Sequence, residues 1–229
     1  MHSTDRTMLA GFGFGDPDKR NKQHDAACRY LATDDAMVAV ATVLMNHGAF
    51  STKRHQFSYD KVELTSVQPQ KAVLELPLNK GEDRFKTTVG FLDCVIPVKL
   101  SFTCQCPSTY QRWLGYGAEY SRHTCEVPPR DVVDHDEHVC IEVKAGRTPI
   151  TDVIRQINLY KEYANLGNCC WDVCLPPVWV LAKPYDLDNN AVKVLEQAGA
   201  FHIRLGDGFE AFVKNETEAT GPSKSSLVI

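Results

Sequence analysis

Apolar positions along the chain change period several times, and these changes predict its elements. His24–Leu31 reads as a short helix, and Asp34–Asn46 as a compact apolar one with Thr33 and Asp34 as caps and Gly48 closing it. From Phe57 the pattern turns strand-like. Lys71–Leu78 carries Val73, Leu74, Leu76 and Leu78, a polar turn occupies Asn79–Asp83, and Thr87–Phe102 is rich in β-branched and aromatic residues. This predicts a hairpin of long strands. Residues 103–130 break the pattern with prolines, glycines, Tyr110, Trp113 and several Cys/His, and read as an insertion. Arg130–Val133, a polar turn at Asp134–Glu137 and a strand His138–Lys144 follow. A helix is expected over Pro149–Ala164, with Thr148 as N-cap and Pro149 at the first helical position, where its missing N–H costs nothing. Pro177–Ala182 reads as a buried strand, Asn189–Gly199 as a helix and Phe201–Leu205 as a last strand. Strands alternating with helices after an initial hairpin predict an α/β fold with a mixed sheet.

The expected organisation is a loose N-terminal arm over residues 1–23, one domain over 24–213 and a disordered Ser/Thr/Glu/Lys-rich tail over 214–229. Hydrophobic residues make up 43% of the 229, enough for a core without disulfide staples. The nine cysteines are an odd number, no signal peptide is visible, and the apolar stretch 36–45 is too short to span a bilayer. These features point to the cytoplasm, with thiols free or metal-bound and no membrane partner. The Asn215-Glu216-Thr217 sequon then reads as a chance match. A net charge of −4 argues against a protein that merely coats nucleic acid, yet is compatible with an enzyme whose carboxylates gather at a metal.

Candidate chemistry begins at Cys140-Ile141-Glu142-Val143-Lys144. Residues two apart in a strand share a face, so Glu142 and Lys144 project together. A carboxylate and an ammonium at the end of an apolar strand are costly to bury unless they serve something, and a divalent cation is such a purpose. A second acid is required. Asp93, the one charge in the apolar run Val89–Ile96, is preferred. Asp131 is a rival, because a hairpin pairing Val133 with His138 would set it opposite Cys140. Glu75 is a further candidate, balanced by its reading as an outward residue of an alternating strand.

Gly90-Phe91-Leu92-Asp93 followed by Ile141-Glu142-Val143-Lys144 resembles the D…ExK signature of the PD-(D/E)XK nucleases, with Leu92 where the usual Pro stands. Gln156 and Tyr160 in the next helix match the Gln-x-x-x-Tyr motif of the RecB-like and Cas4-like branch, and lie four apart on one face. The resemblance implies a restriction-endonuclease-like mixed central sheet flanked by helices, here with a Cys-rich insertion. It also implies DNA as partner and hydrolysis dependent on Mg²⁺ or Mn²⁺, leaving a 5′-phosphate. Asp93, Glu142 and the backbone carbonyl of Val143 would hold the metal, Lys144 would assist the attacking water, and Gln156 and Tyr160 would position the strand. Arg147 and Arg155 flank the site and would bind phosphate. Two basic clusters, Lys53-Arg54-His55 and Lys19/Arg20/Lys22, read equally well as solvated charge. Small nucleases that cut both strands often dimerise, which keeps a homodimer open.

The cysteines raise two further expectations. Cys104, Cys106, His123 and Cys125 form two close pairs, the grammar of a structural zinc, with free thiols in an aromatic flap as the alternative. Cys28 with Cys169, Cys170 and Cys174 suggests an iron–sulfur cluster, but adjacent cysteines ligate one cluster poorly and the spacing departs from the family pattern. Two rival functions remain: a nucleic-acid-binding or assembly protein on the same fold without turnover, and a zinc-stabilised interaction module.

Overall fold

The computed structural model describes residues 22–50, 61–80, 87–105, 109–112, 121–124, 130–163 and 177–219. The elements in chain order are α1 (Lys22–Leu31), α2 (Asp34–Asn46), β1 (Lys61–Pro69), β2 (Val73–Lys80), β3 (Thr87–Gln105), β4 (Thr109–Arg112), β5 (Ser121–Thr124), β6 (Arg130–Val143), α3 (Ile150–Tyr163), β7 (Val178–Lys183), α4 (Asn189–Gln197), β8 (Ala200–Arg204) and α5 (Gly206–Ala219). Six strands form one mixed sheet in the order β1-β3-β6-β7-β8, with β2 also paired to β3; β4 and β5 make a separate ribbon. The pairs β1–β3, β2–β3 and β3–β6 are antiparallel, whereas β6–β7 and β7–β8 are parallel. Parallel neighbours need crossovers, and α3 and α4 supply them. Crossovers of one hand, stepping the same way along a sheet, put both helices on one face. The packing agrees: Val153, Ile157 and Tyr160 of α3 and Leu195 of α4 share a core with Cys140, Trp179 and Leu181. On the other face, α1, α2 and Phe209 of α5 cover Ile96, Val98, Leu100, Phe102, Ile141 and Val180. The fold is therefore α/β, a mixed sheet between two helical layers.

Three expectations are corrected. The turn at Asp134–Glu137 does not exist, because β6 runs unbroken and pairs with β3 from Cys94↔Ile141 to Gln105↔Arg130. Its first half is polar because α3 and α4 do not reach it. Val132, Asp134 and Asp136 point into solvent there, and Lys99 meets Asp134 at 2.9 Å across the strands. The insertion starts later than residue 103, since Thr103 to Gln105 continue β3. The C-terminal helix α5 runs on to Ala219, so residues 214–219 are not a tail. It is held by Tyr30, whose ring packs against Phe209 and Phe212, and by the Arg29–Glu216 pair at 2.7 Å. Among the described residues, no helix is long and apolar enough to cross a membrane.

Candidate active site at the end of β6

The side-chain alternation of β2 and β3 breaks at one matched position. In β3, Cys94 and Ile96 face the α1/α2 layer, yet Leu92 joins the α3 layer together with Val95. In β2, Leu74 packs on the first layer and Leu76 on the second. The residues between are Asp93 and Glu75, and Glu75 adopts a positive φ of 51°. A non-glycine residue there is costly and is commonly found near functional sites. The pleat thus turns over at Asp93, and β3 leaves β6 there. Cys94↔Ile141 is the last pair, so Asp93 lies level with Glu142 just past the end of the ladder. The Asp93 carboxylate takes over the missing strand: the Val143 N–H donates to its Oδ2 at 2.8 Å.

Glu142 sits at the same point and is 2% exposed. Its Oε1 receives Lys144 Nζ, while its Oε2 is buried with no hydrogen-bond partner among the described residues. Burial pushes the Glu142 carboxyl well above the usual carboxylate range, and the Asp93 charge adds to this; Lys144 only partly offsets it. Burial alone would lower the Lys144 ammonium, but the charge and hydrogen bond of Glu142 outweigh it and the net shift is upward. Two carboxylates crowded into one dry spot, with one oxygen unsatisfied, make a site complementary to a cation with oxygen ligands.

From the α3 layer, Gln156 Nε2 donates to Tyr160 Oη, so the two motif residues meet on one helical face. Tyr160 is buried and its phenol is pushed up, first by burial and then by the nearby Glu142 and Asp93 charges. These two side chains therefore back onto the acids. Tyr160→Phe leaves the Gln156 amide without its acceptor and is expected to cost about 1 kcal/mol. For a chain of this size that is a fall in Tm of about 2–4 °C. A differential scanning measurement showing no fall would mean that the pair contributes nothing to folding.

From the α1 layer comes a residue that sequence reasoning missed. His24 Nε2 lies 3.3 Å from Asp93 Oδ1, and Cys28 Sγ lies 3.9 Å from the same ring. Hydrogen bonds to Asp93 and Cys28 raise the His24 pKa from 6.5 to about 11. The ligand atoms of His24, Cys28 and Asp93 all lie within 4.8 Å of one another. The visible signal was the i, i+4 spacing of His24 and Cys28 on a helix, which places both on one face.

Other candidates fall elsewhere. Asp131 stands opposite Cys104, eleven residues before Glu142 on one continuous strand. At about 3.3 Å per residue that is roughly 36 Å away, so Asp131 does not share a metal with Glu142. Glu75 lies level with Asp93 but its side chain is exposed. Arg155 is on the solvent side of α3, 82% exposed and 3.5 Å from Asp152, turned about 140° from Tyr160. Arg147 is exposed in the loop that leaves β6. At Val143 the N–H donates to Asp93, and the carbonyl expected to bind metal belongs to the last residue of β6, next to Glu142. Cys104 is fully buried in the α1/α2-side core, and His123 pairs through its backbone with Tyr110 in the β4–β5 ribbon. Cys106, Cys125, Cys169, Cys170 and Cys174 lie outside the described residues, as do the basic clusters at 19–20 and 53–55.

The loop after β6 is clamped from β7. Lys183 is 1% exposed, and its Nζ donates to Tyr185 Oη at 2.8 Å and to the Gly146 carbonyl at 3.4 Å. Tyr185 Oη also donates to that carbonyl at 2.6 Å. Among the described residues its hydrogen-bond partners are neutral, so the buried ammonium holds the loop at a cost to stability. Lys183→Met is therefore expected to leave Tm unchanged or higher, while amide hydrogen exchange at residues 145–148 becomes faster. A marked drop in Tm would show that the buried charge stabilises the fold.

No family model, curated protein or solved structure matches this chain.

Proposed function

We propose that the protein is a metal-dependent nuclease of the PD-(D/E)XK type, hydrolysing phosphodiester bonds in DNA. The observation that carries this reading is the buried Glu142 carboxylate, whose Oε2 has no hydrogen-bond partner among the described residues while Asp93 adds charge to the same spot. A cation with oxygen ligands would satisfy this arrangement. The α/β sheet supports the reading, since Asp93, Glu142 and Lys144 gather where β3 and β6 part, with Gln156 and Tyr160 on the crossover helix behind them.

Asp93 and Glu142 would hold Mg²⁺ or Mn²⁺, which when bound supplies Lewis acidity to the phosphate. Lys144 is 22% exposed, so its Nζ reaches both Glu142 and the solvent side, where it can orient a water and neutralise charge on the phosphate. The Val143 N–H holds the Asp93 carboxylate in one orientation. Gln156 and Tyr160 limit the room behind the acids. Buried thiols at Cys28, Cys94 and Cys140 suit a reducing, cytoplasmic compartment.

The test offers single- and double-stranded DNA, linear and circular, with Mg²⁺, Mn²⁺ or EDTA. Cutting that needs the metal and leaves ligatable 5′-phosphate ends supports the reading, and the circular substrates show whether an end is required. A folded protein that binds DNA but cuts none of these substrates would instead be a binding module on the same fold.

A further inference from the structure

We propose that Phe91, with Pro77 beside it, forms a stacking platform for one unpaired nucleobase next to the acids at Asp93 and Glu142. This rests on the nuclease reading for what lies at those acids, and goes beyond it in saying which part of a nucleotide is gripped and by which side chains.

The platform follows from the way β3 outruns the sheet. β6 pairs with β3 only as far as Cys94, whereas β2 follows β3 on to Thr87. Residues 87–93 therefore form a two-stranded arm with β2. On the α3 side of this arm Leu76, Leu78 and Leu92 join the core, with Leu78 and Leu92 buried. Alternation turns Phe91 and its cross-strand neighbour Pro77 to the opposite side. Both are exposed there, Phe91 by 36%.

A single exposed apolar side chain needs no explanation by itself. Three features set this one apart. Of the large apolar side chains exposed among the described residues, it is the one aromatic. Its partner across the strands is a second ring, and directly opposed side chains lie about 5 Å apart, so the two make a surface rather than a point. It also stands two residues from Asp93 on the same strand, about 6.6 Å along it. A phosphate held at Asp93 and Glu142 would carry its base toward this ring.

An aromatic ring stacks on the π-face of any base, so the contact grips without reading sequence. Inside a duplex those faces are covered by the neighbouring bases. Only an unpaired or displaced base can use Phe91. The platform thus favours single strands and frayed ends over intact duplex at the step that seats the scissile phosphate.

Binding of a short single strand in Ca²⁺, with the fluorescent base 2-aminopurine placed at each position in turn, tests this without reference to cleavage. The expected result is quenching by wild type and by Phe91→Tyr at one position, and none there by Phe91→Leu. Phe91→Leu should weaken single-strand binding about 5- to 100-fold and leave binding of the matching duplex unchanged. An abasic nucleotide at the quenched position should cost wild type the same factor and cost Phe91→Leu nothing further. Retention by Phe91→Tyr shows that the ring is what matters, and Phe91→Met repeats the test should the leucine variant fail to fold. No binding by wild type, quenching that persists in Phe91→Leu, or an equal loss of duplex binding would overturn the proposal. Stacking at Phe91 in a protein that cuts no DNA would sink the nuclease reading alone, whereas metal-dependent cutting of single strands without quenching at any position would sink the platform alone.

Discussion

Lys144→Ala is expected to lower Mg²⁺-dependent DNA cleavage by about 10²–10⁴-fold, the range lost when a positioned proton-transfer or charge-stabilising group is removed. It should also destabilise the metal-free protein. Lys144 is the hydrogen-bonded partner of Glu142, which is 2% exposed, and without it a carboxylate is left buried beside Asp93. Breaking a buried pair from one side costs roughly 3–5 kcal/mol. The lower end applies here, because Glu142 already holds a proton more readily than an ordinary carboxyl and can neutralise itself. At about 2–4 °C per kcal/mol for a chain of this size, Tm in EDTA should fall by about 6–12 °C. Mg²⁺ should restore part of this loss, since a cation between the acids does electrostatically what the ammonium did. A variant equally stable in Mg²⁺ and EDTA would mean that no metal binds there.

Asp93 carries the second large effect, and two substitutions separate its two tasks. The carboxylate accepts the Val143 N–H at 2.8 Å and lends its charge to the site. Asp93→Asn keeps an oxygen for that N–H and removes the charge. Loss of the charge weakens the His24 contact at 3.3 Å but relieves the crowding of like charge on buried Glu142, so Tm should stay within about 3 °C of wild type, corresponding to less than about 1 kcal/mol, while cleavage falls about 10²–10³-fold. Asp93→Ala also strands the Val143 N–H where β3 and β6 separate, and should cost a further 1–3 kcal/mol or so. If Asn and Ala lose stability equally, the hydrogen bond is not what holds the strand end. If Asn keeps full activity, Asp93 is not a metal ligand.

Much of this arrangement was legible because strand and helix periods translate directly into faces. Glu142 and Lys144, two apart on a strand, do share a face, and Gln156 and Tyr160, four apart on a helix, do touch. The lone charge of the apolar run, Asp93, is where the two strands part. The helix Asp34–Asn46 ends where its pattern does, with Thr33 accepting the Ala36 N–H at 3.4 Å.

What was not legible depended on neighbours. The run Asp134–Glu137 has the composition of a turn, but as part of a strand uncovered on one face its outward charges Asp134 and Asp136 are solvated or paired, as Lys99 with Asp134 shows. Composition likewise hid α5 beyond residue 213, which is fastened by the Arg29–Glu216 pair and the Tyr30 ring contacts. His24 lies 69 residues before Asp93, and only the docking of α1 on the sheet brings them together. The clamp from Lys183 to Gly146 is of the same kind, a contact between the ends of two parallel strands that no local pattern announces.

The most direct measurement is cleavage of end-labelled linear and circular DNA by wild type and Lys144→Ala, side by side, in Mg²⁺ and in EDTA. The prediction is cutting by wild type in Mg²⁺, none in EDTA, and a loss of at least about 10²-fold in the variant under conditions where circular dichroism shows it folded. Equal cutting by both proteins, or cutting by wild type that persists in EDTA, would contradict a metal-dependent centre at Asp93, Glu142 and Lys144.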